Sequence, residues 1–177
     1  MIIAEHKRKE NIAEYILYMY QVEDLIRGND LDIGRVEQSL INKFDVPYEV
    51  KREMREWYKT LIAMMKDEGK EESGHLNILN SVVDNLEGLH GEILRQGIDN
   101  GYGDIFRKAK PNLDMLRMKS GGRDEGDIQV AMNGLYGLLI LKLKKTRITA
   151  ETSRAFDTIR ELVAELTLRY MEQTELK

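Results

Sequence analysis

Apolar residues recur at helical spacing along almost the whole chain, and no stretch shows the period-two alternation of a half-buried strand. The first helix expected on this pattern runs from about Glu5 to Arg27, with Ile12, Ile16, Met19, Val22 and Ile26 on one stripe and Gly28-Asn29 at its end. Asp30 or Asp32 can cap a short second helix reaching about Lys43, and Pro47 opens a third that Gly69 stops. A fourth, from near Ser73 to Gly97, aligns Leu76, Leu79, Val83, Leu86, His90 and Ile93. Between 102 and 119 the spacing continues across Pro111, which predicts either one kinked helix or two, and the break is preferred. Thr149 caps a last helix to about Gln173.

The stretch Ile128–Leu143, IQVAMNGLYGLLILKL, stands apart because its wheel is apolar on two sides. Ile128, Met132, Leu135, Leu139 and Leu143 form one face, and Val130, Ala131, Gly134, Gly137 and Leu141 the other. A helix of that kind is surrounded by its neighbours, so the chain is expected to be an all-α, single-domain bundle of about six or seven helices over residues 1–177 with this one central. Gly88 and Gly91 on the fourth helix match the spacing of Gly134 and Gly137, which predicts a close crossing of the two.

Composition narrows the function classes. The 177 residues contain no cysteine, which removes disulfides, thiolate metal sites and cysteine nucleophiles and suits a reducing cytosol. The opening MIIAEHKRKENIAEY lacks a signal peptide's apolar core, so the chain is expected to stay in the cytoplasm. A net charge of −4 gives no broad basic field for nucleic acid, and the central apolar run falls short of a membrane span.

Few constellations carry chemistry. Glu72-x-x-His75 and Glu87-x-x-His90 have the spacing of di-metal carboxylate bundles, but on one helix they lie about 22 Å apart and cannot share a binuclear site. His90 sits on an apolar stripe and reads as a core histidine with one hydrogen bond. Glu53-x-x-Glu56 and Glu68-x-x-Glu71 have a spacing used to hold magnesium on helices, yet Arg52, Arg55 and Gly69 interrupt them and surface charge explains them better. Lys142, Lys144, Lys145 and Arg147 complement a helix C-terminus, and could join the amides of 149–151 in an anion site. Neither a metal nor another cofactor is expected.

The first helix holds the remaining lead. Glu23 and Arg27 fall inside its apolar arc, one turn apart, where they are expected to pair. Glu14, Tyr18, Gln21 and Asp24 line another side in a strip that suits a pocket or partner surface. These six, with His90, are the candidate site residues. They favour a helical interaction or scaffold protein, expected to self-associate, over a metal-dependent hydrolase of a nucleotide or phosphate ester.

The run ENIAEYILYMYQVEDLIRGNDLD, residues 10–32, together with the central and final helices, resembles a family of small all-helical bacterial proteins classified only as a domain of unknown function. The resemblance covers the whole chain. It implies a cytosolic, α-helical single domain and carries over no activity and no catalytic residue.

Overall fold

A computed structural model describes residues 2–97, 100–121 and 124–175. Those residues form α1 (Ile2–Glu10), α2 (Ile12–Arg27), α3 (Ile33–Ser39), a 3-10 turn (Ile41–Lys43), α4 (Tyr48–Asp67), α5 (Asn77–Gln96), α6 (Asn100–Lys119), α7 (Asp127–Leu143) and α8 (Ala150–Glu175), with no strand among them. Among the described residues no helix is long and apolar enough to cross a membrane.

Among the described residues eight α-helices stand where six or seven were expected, because the expected first helix divides at Asn11. Asn11 takes extended backbone angles and its side chain accepts from the Glu14 amide at 2.9 Å, which caps α2 and turns α1 away. The reverse correction applies at Pro111, where the expected break is absent and α6 runs through. Pro111 cannot donate to the Arg107 carbonyl, but both residues are exposed, while Ala109 and Leu113 on the opposite side are fully buried. Asn112 Nδ2 also donates to Thr158 Oγ1 of α8 at 2.9 Å, so packing holds the helix together across the lost bond.

Helix α7 packs against α2, α5, α6 and α8. Its Ile128, Val130, Ala131, Met132, Leu135 and Leu138 are buried. The second apolar face fills only along its first half: Gly137 and Leu141 are exposed, and nothing lies within 4 Å of where a Gly137 Cβ would stand. The glycine crossing with α5 is therefore absent. Gly88 also has open space around it, and Gly134 is approached by Leu116 of α6 and Phe156 of α8.

The start of α7 is tied to α5 by charge. Glu87 accepts from the Asp127 and Ile128 amides at 3.2 and 2.8 Å, an anion on the positive end of the helix. A Cβ at Gly126 would collide with the Glu87 carboxylate, so this position admits only glycine without displacing the cap. Arg117 of α6 adds a 2.6 Å bond to Asp127 and two to the Glu125 carbonyl. The first turns of α7, one wall of the site below, are thus fixed from two sides.

Candidate functional site

The C-terminal half of α2 places Glu23 in the core, and its carboxylate has no solvent exposure. A carboxylate there must be hydrogen-bonded, because an unpaired buried charge costs several kcal/mol or neutralises. Its donors come from the segment between α4 and α5. The Leu76 amide donates to Oε1 at 2.8 Å and His75 Nδ1–H to Oε2 at 2.6 Å. The His75 ring stacks on Tyr20, one helical turn before Glu23, with centroids 3.4 Å apart and planes 11° apart. Asn80 Nδ2 donates to the His75 carbonyl at 3.1 Å. The imidazole is thus held at its ring face, its backbone and its Nδ1, and Nε2 has no partner among the described residues.

Arg27 binds the same segment and does not meet Glu23, which corrects the expected ion pair. Its Nε donates to the Lys70 carbonyl at 3.1 Å, one terminal nitrogen to the Gly74 carbonyl, and the other to Asp24 at 2.8 Å. The wheel puts Glu23 and Arg27 on one side of α2, but segment 69–76 lies against that side and supplies each with its own partners. Gly69 and Gly74 take left-handed angles that let the segment fold back so closely.

Asp24 also accepts from the Tyr136 hydroxyl at 2.6 Å, joining α2 to α7. Burial, and then the bond to Asp24, push the Tyr136 hydroxyl well above its ordinary value. Gln129 Nε2 donates to Asn133 at 2.9 Å and more weakly to the Tyr20 hydroxyl at 3.4 Å. Burial raises Tyr20 to about 12, so both phenols stay protonated at neutral pH. Between α2, segment 69–76 and α7 these groups line a groove of about 590 Å³, which His75, Asp24, Arg27, Asn80, Gln129, Asn133 and Tyr136 share with Lys70, Glu72, Ser73 and Glu125. Lys70 and Glu72 bring charges of both signs that pair with no group among the described residues.

The expected strip on α2 does not stay together. Asp24 and Arg27 line the groove and Glu23 lies behind it. Glu14 is exposed near the start of α2 and pairs with Lys7 at 2.8 Å. Tyr18, raised to about 12 by burial, and Gln21 do not line the groove. His90 lies elsewhere in the core: its Nδ1 is 2.7 Å from the Tyr102 hydroxyl, Phe106 meets its ring edge to face, and burial lowers its pKa.

The two Glu-x-x-His copies come to separate ends. Glu87 caps α7, and His75 answers to Glu23 rather than to Glu72. Glu68 accepts from the Asn77 amide at 2.6 Å, and Glu56 pairs with Lys59 at 3.4 Å. No three His, Asp or Glu side chains come together as a metal-binding group among the described residues. The basic run after α7 is exposed, and the cap at the start of α8 comes from the chain itself, Thr149 Oγ1 accepting from the Thr152 amide at 3.1 Å.

Sequence reasoning missed His75, Lys70, Tyr136 and Gln129 as a group. The signal available was Glu23 itself, since a carboxylate on an apolar arc demands donors, but their origin 52 residues onward is a tertiary fact.

Neither a curated protein nor a solved structure matches the chain. A family model does, over residues 1–176, and on that match the chain belongs to the family described as a domain of unknown function, DUF4924.

Proposed function

We propose that the protein binds a small polar molecule of mixed charge, about the size of an amino acid or dipeptide, in the groove between α2, segment 69–76 and α7. One observation carries this reading. A fully buried carboxylate orients the imidazole of a groove-lining histidine whose Nε2 has no partner among the described residues. Lys70 and Glu72 add unoccupied charges of opposite sign, and Asn80, Gln129 and Asn133 add amides, a set that suits a zwitterion better than an apolar ligand or a polyanion. Its working place on this reading is the cytosol, with which a chain free of cysteine is compatible.

The chain has only three histidines, so ring-proton NMR isolates the site. Titration with glycine, glutamate, lysine and a series of dipeptides should move the His75 signal and leave those of His6 and His90 in place. The melting temperature should rise with the same compounds, since a ligand held 100-fold above its Kd adds about 2.7 kcal/mol. Static His75 signals and an unchanged melting temperature across the series would remove the groove as a binding site.

Self-association is a second reading, favoured by the open end of α7, where Leu141 and Leu143 are 40% and 57% exposed. Sedimentation equilibrium should then give a dimer that Leu141→Lys with Leu143→Lys returns to monomer. A monomeric wild type at 100 µM would end that reading.

A further inference from the structure

Binding alone does not require what stands behind His75. A hydrogen bond to a ligand can come from any exposed amide or hydroxyl, whereas here a carboxylate with no solvent exposure is placed on the far side of an imidazole. That arrangement does two specific things. The 2.6 Å bond to Glu23 fixes the proton on Nδ1, so the neutral ring keeps its lone pair on Nε2. The negative charge then stabilises the imidazolium that forms if Nε2 accepts a proton. Stacking on Tyr20 and the Leu76 amide on the other carboxylate oxygen prevent ring and acid from turning away.

We propose that Glu23 and His75 form a general base that takes a proton from a water molecule as the water oxygen attacks the acyl carbon of an ester carried by a small charged molecule. The proposal rests on the groove being the binding site argued above. Water is the nucleophile because the chain has no cysteine, Tyr136 is committed to Asp24, and Ser73 makes no bond to His75. As Nε2 takes a proton from the water, the water oxygen bonds to the acyl carbon and the carbonyl π pair moves on to its oxygen. Collapse of that intermediate breaks the bond to the leaving alkoxide, which takes the proton back from Nε2. Acid and alcohol leave, and the neutral imidazole is restored. Lys70, a groove cation with no acid partner among the described residues, supplies positive charge for the oxyanion.

The test uses the whole chain with p-nitrophenyl acetate, glycine p-nitrophenyl ester and mono-p-nitrophenyl succinate as neutral, cationic and anionic probes. Wild-type hydrolysis should exceed buffer on at least one of the three probes. His75→Asn keeps a donor near the Nδ1 position and removes Nε2, so the rate should fall at least about 100-fold with the melting temperature retained. If that variant does not fold, Glu23→Gln serves. Its carbonyl oxygen must still accept from Leu76, so its amide donates to Nδ1, the proton moves to Nε2 and the base is blocked, with the same loss of rate. A Glu23→Gln or folded His75→Asn protein hydrolysing at the wild-type rate overturns the proposal. So does a wild type indistinguishable from buffer on all three probes. In either case a His75 NMR signal that moves with glycine or a dipeptide leaves the binding reading standing, and a static signal means both readings fail.

Discussion

Glu23 and Arg27 sit one turn apart on α2 and each fastens the segment that follows α4, through different bonds. Arg27→Met strips two carbonyls, of Lys70 and Gly74, of their donor, and should cost about 1–3 kcal/mol in urea denaturation. It does not strand Glu23, whose partners are His75 and the Leu76 amide. Adding Glu23→Gln should therefore recover none of the loss; recovery of most of it would mean that the two side chains pair after all. The wheel made these two residues legible as a buried charged couple, but it carries no information about the segment that packs on them. His90 tests burial by pH. Its folded pKa lies below the ordinary 6.5, so on acidification the unfolded chain takes up this proton first. Its contribution is whole above about pH 6.5 and is lost as pH falls toward the lowered folded value, by up to about 1.4 kcal/mol per pH unit. His90→Gln removes the titration, and its stability should fall less steeply between pH 6.5 and 5 than the wild type's. Equal slopes would show that His90 is protonated in the fold.

At the scale of elements, local signals decided most boundaries. Asp32 caps α3 through the Arg35 amide at 2.8 Å, Pro47 precedes α4, and Gly69 and Gly97 end α4 and α5 with left-handed angles. The errors fell at a local cap that the helical stripe hides and at a proline that packing outweighs. Asn11, which follows the charged run Glu5–Glu10, caps α2 through the Glu14 amide, and α6 continues through a proline because α8 packs along its buried side. The glycine pairs misled for a related reason: spacing shows that two helices can approach closely, not that they do. Gly88 lies exposed within α5 with nothing around its missing Cβ, so Gly88→Ala should stabilise by about 0.5–1 kcal/mol through the entropy of the unfolded chain. At Gly134 a Cβ would meet the Leu116 side chain at 2.6 Å, and Gly134→Leu should lower the melting temperature. Opposite signs at two mid-helix glycines would be the mark of tertiary packing; a loss at Gly88 would restore the helix crossing that the structure lacks.

For the whole molecule, the one-helix core was legible because a wheel apolar on two sides has no other use in a chain of this composition. The groove was not, since its walls come from residues 24–27, 70–80 and 125–136, three stretches that periodicity treats separately. The same division runs along α7. Its first half is enclosed by other helices, capped by Glu87 and fixed by Arg117, while its end carries exposed Gly137, Leu141 and Leu143 and stops at Lys144, after which Lys145 takes a left-handed angle. Local opening is easiest where few apolar contacts must be broken, so the free energy of opening should fall along this one helix. Native-state hydrogen exchange should find the amides of Met132 to Tyr136 exchanging only by global unfolding, with protection that tracks denaturant stability. Those of Ile140 to Leu143 should exchange faster by local fraying, with little dependence on denaturant. Because the groove is walled by the protected half, a ligand that binds there should leave the fraying end unchanged. Uniform protection from residue 132 to 143 would mean that the end of α7 is covered in solution, as it would be in a dimer, and sedimentation at the same concentration would separate that cause from a stiffer monomer.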